Sequence, residues 1–274
     1  MKIFNTGETE EELRMKYNPE GSNLYKAQMR MLDMLRYIKR VCDDNNIEWM
    51  LAFGNVLGAV RHEGYIPWDD DTDIILDKKN YEKLCDILEK SNHDQFVLQN
   101  YKTDPGQYEY YSVLRDLKSE YIQNSPYHLN KKYRGLQLDI FFVEPGVFNF
   151  LYKVMAKFVR FNTKHFAGRG ILNIIAKFNF YFGKYVLIPS CRFISQLFGN
   201  KNYYSILYGF HGGEFGVKIK KDILFPPTYV KFENEEFPVP SQSERYLSLI
   251  YGDYMKLPPI SKRVGHRADY VIYD

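Results

Sequence analysis

The chain has 274 residues, a length that supports one large domain or a domain with an added subdomain. Its formal net charge of +3 is too small by itself to indicate a nucleic-acid partner, and we expect none. The three cysteines, Cys42, Cys85 and Cys191, form no Cys-x-x-Cys pair, which argues against a structural zinc site or a disulfide framework and favours a reducing compartment.

The first segment, residues 1–21, is polar and acidic and is predicted to be a loosely held arm. It lacks the apolar core of a signal peptide, and no apolar run in the chain approaches the ~20 residues that cross a bilayer. We therefore expect a cytoplasmic protein. From Ser22, a predicted N-cap, apolar residues recur at helical spacing as far as Cys42, which indicates a long helix.

A series of short strands and helices follows over residues 22–145. The apolar segment 47–53 ends at a glycine, as a buried strand does, and a short helical turn is predicted after it. Further predicted elements are a strand at 71–76, a helix at 80–90, and strands at 96–98, 110–117 and 136–143. This order predicts an α/β or α+β domain, with a mixed sheet flanked by helices.

The composition then changes. Residues 145–213 contain no Asp or Glu, nine Lys or Arg and 17 Phe or Tyr. We treat 146–213 as a helical insert with basic and aromatic faces, typical of helices that lie on a membrane surface. Its alternative role is a helical subdomain whose aromatic side packs on the sheet. Residues 214–274 return to an ordinary composition, and we expect them to pack on the core.

An aspartate cluster precedes the predicted strand at 71–76. It comprises Asp69, Asp70, Asp71 and Asp73. Residues i and i+2 of a strand share a face with Cα atoms ~6.6 Å apart, so Asp71 and Asp73 are predicted to contact one Mg²⁺ together, with Mn²⁺ as the alternative ion. Asp69 and Asp70 are expected to support them or to be solvated. The competing interpretation is a solvated acidic turn.

Asp139 is a single carboxylate within the strongly apolar segment 136–143. It is the expected third acid, delivered by a neighbouring strand, and is a candidate metal ligand or a base for an attacking hydroxyl. A position on an exposed edge strand is the alternative. Gly54 and Asn55 open a turn before a helix N-terminus, which is a typical site for an anion such as phosphate.

The segment from Gly54 to Asp73 closely resembles the corresponding motif of the LicD family. Residues 138–141, 232–240 and 246–254 resemble later parts of the same family, so the resemblance covers about residues 24–143 and 225–259. It differs at Asn55, where the fold usually has Ser, Thr or Gly, and it does not extend to residues 146–213.

The resemblance implies a nucleotidyltransferase-like fold and a phosphotransferase. The implied reaction moves phosphocholine, or a related phospho-alcohol, from CDP-choline or another CDP-alcohol to a hydroxyl of a cell-surface glycan. The acceptor would be a teichoic-acid or lipopolysaccharide precursor, lipid-linked in some pathways, and CMP would be released. Such an acceptor favours contact between residues 146–213 and the inner face of the cell membrane.

Several basic residues are candidate ligands of the donor. Arg61 and His62 follow the glycine turn and would bond the diphosphate, although pairing of Arg61 with the aspartates is equally favoured. Arg263 and His266 lie in a basic C-terminal segment that would close over the nucleotide, or would be solvated instead.

Two other functions remain open from the sequence. The first is a nucleotidyltransferase that leaves a nucleotide on a small molecule or a protein. The second is a non-catalytic membrane or glycan-binding protein on an inactive transferase scaffold, against which the three acids argue. The sequence makes no prediction of the oligomeric state.

Overall fold

The computed structural model describes residues 3–123, 125–146, 149–206, 218–265 and 269–273. The helices are α1 (Glu10–Tyr17), α2 (Asn23–Asp44), α3 (Phe53–His62), α4 (Lys78–Lys90), α5 (Pro126–Leu129), α6 (Asn149–His165), α7 (Leu172–Phe182), α8 (Ile188–Phe198), α9 (Lys221–Leu224) and α10 (Ser243–Tyr251). The strands are β1 (Met50–Leu51), β2 (Asp73–Asp77), β3 (Phe96–Gln99), β4 (Ser112–Asp116), β5 (Ser119–Ile122), β6 (Gln137–Pro145), β7 (Tyr203–Ile206), β8 (Ile219–Lys220), β9 (Thr228–Phe232), β10 (Glu235–Val239) and β11 (Asp269–Ile272). The architecture is a mixed sheet flanked by helices, which confirms the predicted fold class.

The main sheet is built around β6. Its strand order is β1-β2-β6-β4-β3, and β7 pairs with the C-terminal part of β6, beyond the segment paired with β4. Strands β2 and β6 are parallel, and the other pairs of this sheet among the described strands are antiparallel. Residues 138–144 of β6 are all buried, as expected for a central strand covered on both faces.

The chain between β1 and β2 folds differently from the prediction. Instead of a strand through residue 53, β1 is two residues long, and helix α3 begins at Phe53, after Ala52 has adopted an extended conformation. Helix α3 is ten residues long, and its apolar residues Phe53, Val56, Leu57 and Ala59 are buried. The N-terminus of α3 therefore lies directly beside the start of β2, because Ala52 N–H donates to the carbonyl of Asp73.

The N-terminal arm is packed on the core, so the prediction of a loose arm is wrong. Helix α1 begins at Thr9 with a capping box formed by the side chains of Thr9 and Glu12. Leu13 on this helix is fully buried, and Phe4 before it is buried in the same core. Two buried apolar side chains give a short acidic segment enough apolar contact to be ordered.

The insert is helical, and α6 contacts a long second helical unit that follows it in the chain. This unit consists of α7, a π-helical turn (Gly183–Leu187) and α8. It then contributes β7 to the main sheet, which the composition did not predict. Among the described residues, no helix combines the length and the apolar character needed to cross a bilayer.

The C-terminal region packs on α3 and on the edge of the sheet. Strands β9 and β10 form an antiparallel hairpin, and the Tyr246 hydroxyl on α10 accepts a hydrogen bond from Phe53 N–H at 3.3 Å. Strand β11 pairs with β5 and forms a second, two-stranded sheet. Residues from both ends of the chain thus surround the segment that carries the aspartates.

Candidate active site

A cavity of about 520 Å³ opens beside the start of β2 and β6. It is lined by Gly54, Asp71, Asp73 and Asp139 of the predicted site residues, together with Asp69. Its other walls include Phe53, Glu109, Tyr111, Arg115, Tyr121, Tyr127, His128, Lys131, Phe141 and Tyr251. The structure therefore brings together the three acids that the sequence selected.

The register of the sheet explains why Asp73 and Asp139 meet. Asp73 is the first residue of β2 and is paired directly with Asp139 of the parallel strand β6. Paired residues on neighbouring strands lie ~4.8 Å apart and project to the same face. Both are buried, each with 9% of its surface exposed. Two carboxylates held side by side away from water are destabilised unless a cation or a proton compensates them.

Asp139 shows this lack of compensation directly. Its Oδ1 atom is buried and has no hydrogen-bond partner among the described residues. Burial raises the pKa of its carboxyl above the usual value, Arg115 opposes the rise, and the carboxylates of Glu109 and Asp71 add to it. Asp139 is thus neither the exposed edge residue of the alternative interpretation nor part of a complete ion pair.

Asp71 approaches the same cavity from the residues that precede β2. Thr72, between the two aspartates, is fully buried and bonds the hydroxyl of Tyr65 at 3.1 Å, on the opposite side of the backbone. The alternation predicted for a strand therefore holds at Asp71 and Asp73, although β2 itself begins at Asp73. Asp71 is partly exposed at the cavity, where a bound ligand has access to it.

Asn55 and Gly54 shape the site from α3. The Asn55 side-chain oxygen accepts a hydrogen bond from Asp73 N–H at 2.6 Å, which fixes the start of β2. Asn55 is buried and is not among the described residues that line the cavity. A Cβ atom on Gly54 would lie 2.7 Å from Asp69 Oδ2, so the glycine lets that carboxylate approach the positive N-terminus of α3. Asp69 thus occupies the region where the sequence predicts phosphate, and a phosphate contact of Gly54 and Asn55 stays a prediction.

Asp70 is directed towards the C-terminal region. It is 2% exposed, and its Oδ2 accepts a hydrogen bond from the Tyr270 hydroxyl at 3.1 Å. The backbone of Gly265 packs so closely on it that a Cβ there would lie 2.7 Å from the carboxyl group. Asp70 supports the cluster as one of the two predicted roles requires, and it is not solvated.

Arg61 and His62 lie outside the cavity, in a polar network that ties three parts of the chain together. Arg61 Nη1 donates to the carbonyl of Tyr254 at 2.7 Å, and Arg61 Nε donates to His62 Nε2 at 2.9 Å. His62 Nδ1 lies 2.5 Å from Glu10 Oε2. Because Nε2 accepts from Arg61, the imidazole is neutral and carries its proton on Nδ1, and burial lowers the pKa of His62 to about 4. These contacts give both residues a role in packing the arm and the C-terminal region on α3.

Arg263 is also a packing residue in this structure. It is 2% exposed, its Nη1 donates to Glu8 Oε2 at 2.6 Å, and its guanidinium lies 5.5 Å from the centre of the Trp68 ring. The solvated basic tail of the alternative interpretation is therefore wrong for Arg263. His266 falls outside the described residues, and donor contacts of Arg263 and His266 stay predictions.

The sequence did not single out the cationic wall of the cavity. Lys131 Nζ lies 3.0 Å from Glu109 Oε2, and both side chains are buried. Arg115 is fully buried and donates to the Gln99 side chain and to the carbonyl of Gly135. Glu109 and Lys131 lie in loops and Arg115 lies on β4, so no sequence motif joins these residues. The pairing of β4 with β6 brings Arg115 close to Asp139.

The donor set suits a magnesium ion that is completed by its substrate. Asp71, Asp73 and Asp139 offer only oxygen atoms, and Asp139 Oδ1 is a buried acceptor without a partner among the residues that the structure describes. Within the described ranges, no group of three or more His, Cys, Asp or Glu side chains is already arranged to hold an ion alone. Mg²⁺ typically binds through one or two carboxylates together with water and substrate phosphates, so these residues fit it in that way.

Comparison with known proteins agrees with this geometry. Residues 46–167 match the family model described as LicD/FKTN/FKRP, nucleotidyltransferase domain. The chain is 24% identical over 266 residues to the lipopolysaccharide cholinephosphotransferase LicD of Haemophilus influenzae, an alignment that covers 89% of this chain and 95% of that protein. It is also 35% identical over 63 residues to an uncharacterised protein of Rickettsia prowazekii, covering 23% of this chain and 24% of the relative. The family match includes the three acids of the cavity.

Proposed function

We propose, from the match of residues 46–167 to the nucleotidyltransferase domain of the LicD family, that the protein transfers phosphocholine, or a related phospho-alcohol, from a CDP-linked donor to a hydroxyl of a cell-surface glycan precursor. A lipopolysaccharide precursor is the first acceptor to test, because the relative from Haemophilus influenzae carries that substrate in its name. The observation that carries the proposal is the in-register pair of buried acids, Asp73 and Asp139, in the wall of the cavity.

The proposed reaction exchanges one phosphorus–oxygen bond for another. The acceptor oxygen bonds to the phosphorus of phosphocholine, and the bond from that phosphorus to the bridging oxygen of CMP breaks, so CMP leaves with the electron pair. Asp139 would accept the proton of the hydroxyl; it lines the cavity, and its buried Oδ1 has no donor among the described residues. Asp71 and Asp73 would hold Mg²⁺, which when bound neutralises charge on the diphosphate.

The cavity also has walls that suit a choline group. Phe53, Tyr111 and Phe141 line it, and the Tyr111 and Phe141 rings lie 4.6 Å apart between centres. Aromatic faces attract a quaternary ammonium by cation–π interaction. The face of Tyr127 is already covered by Lys131, whose Nζ lies 4.6 Å from the ring centre.

The test is a transfer assay with purified full-length chain, Mg²⁺ and deacylated lipopolysaccharide. CDP-choline, CDP-ethanolamine, CDP-glycerol and CDP-ribitol are compared as donors, and both CMP and the modified glycan are measured. Asp73→Asn should lower kcat by about 10³-fold or more, as expected for loss of electrostatic stabilisation at the transferred group, whereas Asp44→Asn on the exposed surface of α2 should not change it. EDTA should abolish turnover and added Mg²⁺ should restore it.

Other products would support another function. A nucleotide that remains on the acceptor would indicate nucleotidyl transfer, the other enzymatic function left open by the sequence. Absence of turnover and of any thermal shift with all four donors would overturn the proposal and leave the non-catalytic alternative.

Peripheral contact with an anionic membrane is the second part of the proposal. The α7–α8 unit exposes large apolar side chains, which include Ile171, Ile174, Phe178, Phe182, Phe193, Leu197 and Phe198. Lys153, Lys157 and Arg160 on α6 are exposed as well. Apolar side chains beside basic residues favour a surface that carries acidic lipids.

This contact is measured by pelleting with vesicles of phosphatidylglycerol and phosphatidylcholine. Changing Lys153, Lys157 and Arg160 to Glu should reduce the pelleted fraction. The matched control changes three exposed lysines outside the insert, Lys79, Lys90 and Lys118, to Glu. Equal pelleting of both triple variants, or none by the wild type, would contradict membrane contact through the insert.

A further inference from the structure

A second cavity, of about 510 Å³, lies on the other face of the main sheet. Phe142 of β6 lines it, whereas its neighbour Phe141 lines the catalytic cavity, as expected from the alternation of side chains along a strand. Its walls come from α4, from the loop after β3 and from the π-helical turn and α8 of the insert. It therefore forms where the insert meets the core.

The cations of this second cavity are unequally paired. Lys102 and Arg192 have carboxylate partners, Glu89 at 3.1 Å and Glu144 at 2.9 Å. Lys184 has no carboxylate within ion-pair distance among the described residues, and its Nζ lies 3.1 Å from the centre of the Tyr101 ring. Burial, with Lys102 and Arg192 nearby, lowers the pKa of Lys184 to about 8. A half-buried ammonium among like charges is stabilised by an anion placed between them.

The fold holds Lys184 at this position rather than leaving it on a mobile surface. Lys184 belongs to the π-helical turn, whose first residue, Gly183, contacts the hydroxyl of Tyr110 so closely that a Cβ atom there would overlap with it. The same hydroxyl donates to the carbonyl of Phe180 at 3.1 Å. π-Helical turns inside helices are frequent at functional sites, and this one directs Lys184 and Tyr185 to the cavity.

The remaining wall combines aromatic faces with polar groups. It includes the rings of Tyr81, Tyr101, Tyr110 and Tyr185, the polar side chains of Asn100 and Ser112, and the charged side chains of Lys78, Glu82 and Asp86. With Lys102, Lys184 and Arg192, four cations and two carboxylates therefore line the cavity. Aromatic faces that carry a polar end suit ligands with one apolar and one polar face, such as a sugar ring. Cations and tyrosines around one cavity therefore favour a sugar that bears a negative charge.

We propose that this second cavity binds an anionic saccharide, a sugar that carries a phosphate or a carboxylate, with its charge held by Lys184, Lys102 and Arg192. Two sources share this chemistry: the charged part of the acceptor glycan and a free sugar phosphate. The first source rests on the function proposed above, but the binding itself does not.

Binding is tested by calorimetry on the full chain with glucose 6-phosphate, glucose and inorganic phosphate as probes. The wild type should bind glucose 6-phosphate more tightly than it binds glucose or inorganic phosphate. Lys184→Gln should weaken this binding by about 10-fold, the equivalent of one charge-assisted hydrogen bond. The matched control is Lys177→Gln, an exposed lysine of α7, which should bind as the wild type does.

Equal affinities for glucose and glucose 6-phosphate, or equal affinities of the Lys184 and Lys177 variants, would overturn the proposal. Thermal unfolding of each variant checks that it is folded. Lys102→Gln provides the same test at a more exposed residue if Lys184→Gln is unstable.

The transfer assay separates the two sources. If the acceptor occupies the cavity, Lys184→Gln raises KM for the deacylated glycan and leaves kcat and donor binding unchanged. If a free sugar phosphate occupies it, acceptor KM is unchanged and added glucose 6-phosphate alters turnover of the wild type but not of Lys184→Gln. Failure of every donor in the transfer assay would remove the proposed function without affecting the binding result.

Discussion

Asp139 is the residue at which stability and the proposed chemistry oppose each other. Burial raises the pKa of its carboxyl group despite the nearby charges of Arg115 and Lys131, and Oδ1 lacks a partner in the described part of the chain. A buried acceptor without a donor destabilises the folded state by about 1–3 kcal/mol. Such a group persists where function requires it, since activity and stability often conflict at a site.

Asp139→Asn should therefore increase the free energy of unfolding at pH 7 in the absence of metal, while it abolishes transfer. The expected gain is about 1–2 kcal/mol, because the amide removes the charge and keeps the shape of the side chain. Urea denaturation in EDTA measures it, with Asp44→Asn as the control. A loss of stability would mean that the carboxylate has a compensating partner in solution.

The residues whose position at the cavity agrees with the sequence analysis are those that local spacing reveals. Asp71, Asp73 and Asp139 were found because acids beside apolar strand residues stand out in a linear pattern. Arg61 and His62 follow the glycine turn just as closely, but they contact Glu10 and Tyr254 instead of the cavity. Nothing within a local window reveals partners so far away in the chain.

At the scale of elements, the helix α3 is stabilised by a network whose protonation matters. The neutral His62 accepts from Arg61 and donates to Glu10, and it is fully buried at its side chain. Burial lowers its pKa to about 4 in the folded state, below the ordinary histidine value of 6.5. Between these two pKa values the unfolded chain binds more protons than the folded chain. The contribution of His62 to the free energy of unfolding is therefore fully present above pH 6.5 and decreases as the pH falls from 6.5 towards 4.

His62→Gln should accordingly flatten the pH dependence of stability in this window. The wild-type contribution from His62 amounts to about 3 kcal/mol across it. His128, whose pKa is also lowered to about 4 by burial, contributes in the same direction and remains in the variant. Thermal unfolding between pH 4 and pH 7 measures the slope, and the exposed His165→Gln should retain the wild-type slope. An unchanged slope in His62→Gln would show that the pKa of His62 is the same in the folded and the unfolded chain, which would contradict its lowering by burial.

Elements with a strong periodic pattern were predicted within a few residues. Helix α4 begins two residues before the predicted 80–90, and β6 begins one residue later and ends two residues later than the predicted 136–143. Strand β7 and the hairpin β9–β10 were missed because short strands gain their stability from pairing with distant partners, which a local pattern does not contain. The helix α1 was missed because its composition is acidic and few of its apolar side chains, Leu13 and Tyr17 among them, contact the core.

At the scale of the whole molecule, the C-terminal strand β11 contacts the aspartate cluster through a hydrogen bond to Asp70. Tyr270 on β11 donates to Asp70, and β11 is attached to the core through its pairing with β5. Because Asp70 lies between two cavity aspartates in the sequence, a shift of β11 should be felt at the cavity.

Tyr270→Phe should lower the free energy of unfolding by about 1–2 kcal/mol, since it removes a hydrogen bond to a buried carboxylate. It should also lower kcat more than it changes KM for the donor, because the cluster remains present but less well fixed. Tyr273→Phe is the matched control, as its hydroxyl bonds the exposed Glu120. Equal stability and kinetics of the two variants would show that Asp70 does not depend on β11.

The joining of distant segments also has a consequence during synthesis on the ribosome. The acids of the cavity are synthesised with residues 71–139. Tyr254 and Lys256, whose carbonyls accept hydrogen bonds from Arg61, and Tyr270, which donates to Asp70, are synthesised much later. The contact of Asn5 with Leu257 N–H at 2.7 Å likewise waits for almost the whole chain. A nascent or prematurely terminated chain therefore holds the carboxylates that we propose to be catalytic without their support, and the proposed activity should appear only after release from the ribosome.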